Sequence, residues 1–193
     1  LNTASAWWGF FMAQNGDSAA TSGVELEAAW AATDNLIVNF GYSYINAELT
    51  DDLYQPQTGG LIADDGHRLP GTAEHVATVS LDHSYNLNNG WTLASRLLAY
   101  YQGDSINSVQ DTSIQETFDS FALFNASIAI VTDHWNFSLF AKNLGNEEGI
   151  TGSYPEAYMS TDTGIFENYY GNNQRNYITQ PRTFGLSATY RFR

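Results

Sequence analysis

The sequence predicts an all-β protein: an antiparallel transmembrane β-barrel with about eight strands in the 193 residues. Three observations predict it. Apolar residues alternate with a period of two along long segments. Short turns rich in Asp and Asn alternate with long loops. The chain is 15% aromatic, with 4 prolines and no cysteine. Successive side chains of a strand point to opposite faces, so such alternation marks a sheet with two unlike environments. Mean hydropathy is slightly negative, and no stretch approaches the roughly 18 apolar residues of a membrane helix. A membrane barrel is compatible with both facts, because lumen-facing residues dilute the lipid-facing ones.

Eight strands are expected in order. The first covers residues 4–14. The second, 23–32, sets Val24, Leu26, Ala28 and Trp30 against Glu25, Glu27 and Ala29. The third, Leu36–Leu49, sets Leu36, Val38, Phe40, Tyr42 and Tyr44 against Asn39, Gly41 and Ser43, with Ile37 and Ile45 softening the pattern. The fourth, 73–85, alternates Val79 and Leu81 with Thr78, Ser80 and Asp82. The fifth, 91–102, places Trp91, Leu93, Leu97, Ala99 and Tyr101 opposite Thr92, Arg96, Tyr100 and Gln102. The sixth, 120–131, has an outer row of Ala122, Phe124, Ala126, Ile128 and Ile130. The seventh, 135–144, sets Trp135, Phe137, Leu139 and Ala141 against Asn136, Ser138, Phe140 and Lys142. The eighth, 182–192, sets Phe184, Leu186, Ala188, Tyr190 and Phe192 against Thr183, Gly185, Ser187, Thr189 and Arg191.

Short turns fall at 33–35, 86–90 and 132–134, and longer connections at 15–22, 50–72, 103–119 and 145–181. Asp and Asn tolerate turn geometry. Long loops at one end and short turns at the other are the layout of outer-membrane barrels, with the turns periplasmic. Strands of about ten residues cross a bilayer when tilted. Trp91 and Trp135 open strands just after short turns, and Tyr190 and Phe192 lie at matching depth. These four are expected at the membrane interface, where aromatic girdles lie. A soluble β-sandwich would instead bury Trp30, Leu97 and Leu186 in one core. Its polar face would also be more charged than these rows of Thr, Ser, Asn and Gly.

Charge narrows the function. Twenty-one acids against 7 Lys and Arg give a net charge of -14, which argues against a nucleic-acid partner, since phosphate binding needs cations. Asp51-Asp52 and Asp64-Asp65, with His67 nearby, have the ligand type for Ca²⁺. They match no calcium-loop spacing and read as a solvated acidic loop. His75, His83 and His134 are isolated, without metal-ligand spacing. No nucleophile-elbow motif is present. No catalytic residue, resident metal or cofactor is expected. Arg96 and Lys142 face the lumen, with Glu25, Glu27 and Asp82 as expected partners. Segment 145–181 holds Tyr154, Tyr158, Phe166, Tyr169, Tyr170, Tyr177 and Arg175. Loop aromatics offer stacking surfaces, and a guanidinium fork suits an anionic ligand. Tyr154, Tyr158, Tyr169, Tyr170 and Arg175 are therefore the candidate ligand residues.

Several local patterns resemble the C-terminal barrel of TonB-dependent receptors. The stretch 15–27, ending Gly23-Val24-Glu25-Leu26-Glu27, is similar to that family's Asn-rich loop and following strand, and Leu36–Leu49 with Ala47-Glu48 to its partner. Leu69-Pro70-Gly71, Lys142-Asn143-Leu144-Gly145-Asn146 and Gln180-Pro181-Arg182-Thr183-Phe184-Gly185 resemble its later elements in order. The resemblance implies the last eight or so strands of a 22-stranded barrel, with residues 1–193 as a C-terminal barrel segment lacking the plug domain. Residues 1–14 show neither a basic segment nor a signal cleavage pattern, as expected of a mature chain or a fragment.

The resemblance also implies a multi-pass protein of the Gram-negative outer membrane that imports a scarce nutrient, foremost a ferric siderophore. Implied partners are membrane lipid and lipopolysaccharide, a small-molecule ligand such as a metal chelate, the TonB energy-coupling complex acting through the plug, and the barrel-assembly machinery. That machinery reads a terminal aromatic in the family, whereas Phe192 here precedes Arg193. Other readings are a receptor for oligosaccharide or cobalamin, and a small eight-stranded barrel of structural or adhesive role.

Overall fold

A computed structural model describes residues 2–4, 11–13, 18–56, 58–109, 115–154 and 175–192. In chain order the strands are β1 (Asn2–Ala4), β2 (Phe11–Ala13), β3 (Ala19–Thr33), β4 (Leu36–Leu49), β5 (Leu53–Tyr54), β6 (Leu61–Ala63), β7 (His75–Asn86), β8 (Thr92–Gln102), β9 (Ser105–Ile106) and β10 (Thr117–Phe118). They continue with β11 (Phe121–Val131), β12 (Trp135–Lys142), β13 (Ile150–Tyr154), β14 (Arg175–Ile178) and β15 (Thr183–Tyr190). The long strands form one seven-stranded antiparallel meander, ordered β15-β12-β11-β8-β7-β4-β3. Each remaining pair forms a two-stranded sheet.

Register gives the alternation its meaning. One rung crosses all seven strands through Trp30, Val38, Leu81, Leu97, Ala126, Ala141 and Phe184. A rung on the opposite face runs through Ala31, Ile37, Asp82, Arg96, Ser127, Phe140 and Gly185. The apolar rows of separate strands thus merge into one continuous face. A one-residue slip in any pair would turn a whole row over, so this agreement is a demanding condition. Among the described residues nothing covers the apolar face: Trp30 is 66% exposed, Leu97 53% and Leu186 83%. A soluble sandwich would bury those three together, so that reading fails.

The packed core lies elsewhere. Leu49, Leu53, Ile62, Ala63 and Val109 form it, with Leu69 against them, and all belong to the loop end of the sheet. The connections 50–72 and 103–119, expected as plain loops, carry the hairpins β5–β6 and β9–β10. Burying these aliphatic residues offsets the cost of ordering long connections.

Two further expectations are corrected. The strand expected over 4–14 is not found in the main sheet among the described residues: Ala4 lies in β1 and Phe11–Ala13 form β2, which pair with each other, Asn2 opposite Ala13, while 5–10 and 14 lie outside the described residues. The segment is apolar at consecutive positions, Trp7-Trp8 and Phe10-Phe11, and offers no two-faced row to extend a lipid-facing sheet. The main sheet therefore has seven strands among the described residues. It is also open: β3 and β15 each pair on one side only. An eight-stranded barrel would join its first and last strands there, and no such pairing occurs among the described residues.

Candidate functional site

The loop end is built on tight side-chain anchors. Asn143 follows β12 with a positive φ of 49°, a conformation that Asn adopts more readily than most residues. Its side chain is a hub. Nδ2 donates to the carbonyls of Glu147 at 2.8 Å and Gln180 at 2.9 Å, and Oδ1 accepts from the Glu147 N–H at 2.9 Å. Its own N–H donates to Asn125 Oδ1 at 2.8 Å. Thr179 Oγ1 donates to the Glu147 carbonyl at 2.7 Å and accepts from the Gly149 N–H at 3.1 Å. Asn146, also at positive φ, accepts from the Arg182 N–H at 3.1 Å. Both ends of connection 145–181 are thereby fastened to β11 and to each other. The Asn-Leu-Gly-Asn stretch was legible as a pattern, but its partner at Thr179 carried no signal in the sequence.

Above this base, β13 pairs with β14, and Tyr154 is the register partner of Arg175. The hairpin thus brings two of the five candidate ligand residues opposite each other. Tyr158, Tyr169 and Tyr170 lie outside the described residues. Tyr177 is described and is exposed at 62%.

A second anchor joins neighbouring connections. Arg68 Nη1 donates to Asp104 Oδ2 at 2.7 Å, and Nη2 to the Asp104 carbonyl at 3.0 Å. The Arg68 hydrogen bond holds the Asp104 carboxyl below the usual carboxylate range, against an opposing desolvation effect. A lowered folded-state pKa contributes stability that is fully present above the unfolded value and is lost as pH falls through the folded value. This contact is accordingly held through neutral and mildly acidic conditions.

No group of three or more metal-ligating side chains occurs among the described residues, and the acidic pairs take part in hydrogen bonds with neighbouring groups. Asp51 accepts from the Ser18 hydroxyl. Asp52 accepts from Tyr54 Oη and from the Asp65 N–H, both at 3.0 Å. That hydrogen bond to Asp52 also raises the Tyr54 pKa.

On the lumen face, a polar network crosses three strands. Asn39 Nδ2 donates to Ser80 Oγ at 3.1 Å and Asp82 Oδ2 at 3.0 Å, and Ser80 donates to Asp82 at 2.9 Å. Arg96 Nε lies 3.4 Å from Asp82 Oδ1. It borders a groove of about 560 Å³ floored by Gly41, Thr78 and Ser80, with Glu27 on its far side. Of the acids expected to meet Arg96, Asp82 does so, while Glu25 and Glu27 stand opposite Ser43 and Gly41. Lys142 has no ion pair among the described residues; its Nζ lies 5.8 Å from the Phe140 ring centroid.

The Phe140 ring lies across Gly185, where an added Cβ would overlap it. An aromatic laid over a strand glycine replaces the packing that the glycine lacks. Gly185→Val is expected to destabilise the barrel by about 1–3 kcal/mol through overpacking, measured by thermal unfolding in detergent. Phe140→Ala in the same chain should remove most of the added penalty. Equal penalties in both backgrounds would refute the contact.

At the turn end, Trp135 stacks on Phe137 at 5.1 Å and meets Tyr190 at 4.9 Å, and Tyr190 meets Phe192 at 4.8 Å. Three of the four candidate interface aromatics thus form one cluster. Trp91 is at the same end of the sheet, 44% exposed, its carbonyl accepting from the Leu87 N–H at 2.7 Å.

The geometry agrees with what comparison with known proteins finds. The family model for TonB dependent receptor-like β-barrels matches residues 2–144. Among solved structures, the ferric yersiniabactin uptake receptor FyuA from Yersinia pestis matches over 90% of this chain, with TM-score 0.66 and 20% identity. The siderophore receptor PiuA from Acinetobacter baumannii matches over 89%, with TM-score 0.62 and 19% identity. The closed form of the ferric-catecholate import receptor Fiu from E. coli K12 also matches over 89%, with TM-score 0.60 and 21% identity. At these identities the likeness is one of fold. The chain spans about a quarter or less of each relative's length: 24%, 22% and 21% respectively. From the family match, which covers most of the sequence, the chain belongs to the β-barrel family of TonB-dependent receptors, outer-membrane receptors of Gram-negative bacteria rather than enzymes.

Proposed function

We propose that this chain forms the C-terminal barrel wall and part of the mouth of a receptor that imports a ferric siderophore across the outer membrane. The observation that carries the reading is the seven-stranded meander, with a lipid-ready face and packed hairpins gathered at one end, in a chain of this family. The siderophore is favoured because the solved relatives of like fold are named for siderophore or ferric-chelate uptake. In this reading a plug domain outside residues 1–193 closes the lumen and receives force from the TonB complex. The wall contacts lipid and lipopolysaccharide, and the barrel-assembly machinery inserts it. Trp91, Trp135, Tyr190 and Phe192 sit at the periplasmic interface. Tyr154, Tyr158, Tyr169, Tyr170 and Arg175 contribute to ligand capture from the longest loop.

The test is growth of an iron-starved Gram-negative strain lacking its own siderophore receptors and supplied with the intact receptor. Rescue by one or more ferric chelates is the expected result. A Tyr154→Ala, Arg175→Ala double variant should need a higher chelate concentration for half-maximal growth while reaching the same surface level. Rescue of cobalamin- or oligosaccharide-dependent growth instead would reassign the substrate.

A further inference from the structure

Connection 50–72 runs from β4 into β7 and connection 103–119 from β8 into β11, and β7 and β8 are neighbours in the sheet. Proximity alone would not join them, but specific contacts cross between them. Val109 of the second connection is buried in the aliphatic cluster of the first, beside Leu53 and Ile62. The Gly71 N–H donates to the Ile106 carbonyl at 2.9 Å. Gln115 Nε2 lies 3.0 Å from His67 Nε2 and donates to the Ser108 carbonyl at 3.2 Å.

Across the seam sits Arg68, which uses all three guanidinium nitrogens. Two of them reach Asp104, as described. Nε faces Glu74 Oε1 at 3.6 Å, and Nη2 also reaches the Thr72 carbonyl at 3.5 Å. A planar fork of five donors can hold both connections at once, which a point-charge ammonium cannot.

We propose that the described parts of these two connections, residues 50–56, 58–72, 103–109 and 115–119, are a single rigid wall of the mouth, clasped by Arg68, so that any rearrangement of the mouth carries them together. The aliphatic cluster supplies cohesion without direction. The guanidinium supplies direction, because its hydrogen bonds fix the angle between the two hairpins. Arg68 is a positioning residue here; it is not assigned contact with ligand. These contacts lie within the chain and hold whichever nutrient is taken up.

The test is pulsed electron paramagnetic resonance on the intact receptor in detergent. Spin labels are placed at Leu61→Cys on β6 and Thr117→Cys on β10, both exposed, residues 1–193 holding no native cysteine and any elsewhere in the receptor being replaced by serine. The expected result is one narrow distance distribution. With Arg68→Ala it should broaden and gain a longer-distance component, while heat-modifiable gel mobility reports an intact barrel. Asp104→Asn keeps the backbone carbonyl as acceptor and should broaden the distribution less. It also carries the test alone if Arg68→Ala fails to assemble. A broad distribution in the parent, or an unchanged width in the assembling variants, overturns the proposal.

Discussion

Asn143→Ala is expected to cost about 2–4 kcal/mol of barrel stability, read as a lower unfolding temperature and loss of heat-modifiable mobility. The substitution leaves the Glu147 N–H and the Gln180 carbonyl without the partners described above, in a residue only 3% exposed. Both groups are part-buried, so each loses a net hydrogen bond of roughly 0.5–1.5 kcal/mol. Alanine also meets a positive φ, which adds about 1 kcal/mol. A graded series separates the two causes. Asn143→Gly removes the backbone strain and keeps the orphaned groups, so it should recover about 1 kcal/mol. Asn143→Asp preserves shape but aims an oxygen at two carbonyls, and should be no better than alanine. A near-wild-type Asn143→Asp would show that the Nδ2 hydrogen bonds contribute little.

The second large effect concerns the two faces. Leu139 lies mid-strand on β12, opposite Ile128 and Leu186, and is 50% exposed to whatever surrounds the sheet. Leu139→Arg is expected to cost about 2–4 kcal/mol, the penalty for a cation near the bilayer midplane on a barrel's lipid face. Its neighbour Ser138 points to the other face, opposite Ala129 and Ser187. Ser138→Arg is expected to change stability by less than about 1 kcal/mol, because that charge stays in water. Equilibrium folding of the intact receptor into lipid vesicles measures both. Equal penalties at 138 and 139 would remove the basis for a membrane barrel.

The two variants also show where the sequence was legible. The rows containing Phe137 and Leu139, or Phe184 and Leu186, could be read directly because strand geometry converts local alternation into two faces. The turns at 33–35, 86–90 and 132–134 were equally readable, since Asx residues carry turn preference locally. At residues 4–14 local composition falls short for a related reason. Strand-forming composition says nothing about which partner a strand selects, and β2 pairs back onto β1. The candidate ligand loop was readable as a concentration of tyrosines, while only the fold sets Tyr154 opposite Arg175.

By itself, then, the sequence determined the all-β class, the lipid-facing rows and the end at which the long loops gather. All of these follow from short-range periodicity and backbone preference. The tertiary structure decided the open seven-stranded arrangement, the loop-end core, the Asn143 hub and the Arg68 clasp. Arg68 meets Asp104 across 36 positions and Asn143 meets Gln180 across 37. No local pattern encodes such pairs, because strand pairing is what brings them within hydrogen-bonding distance.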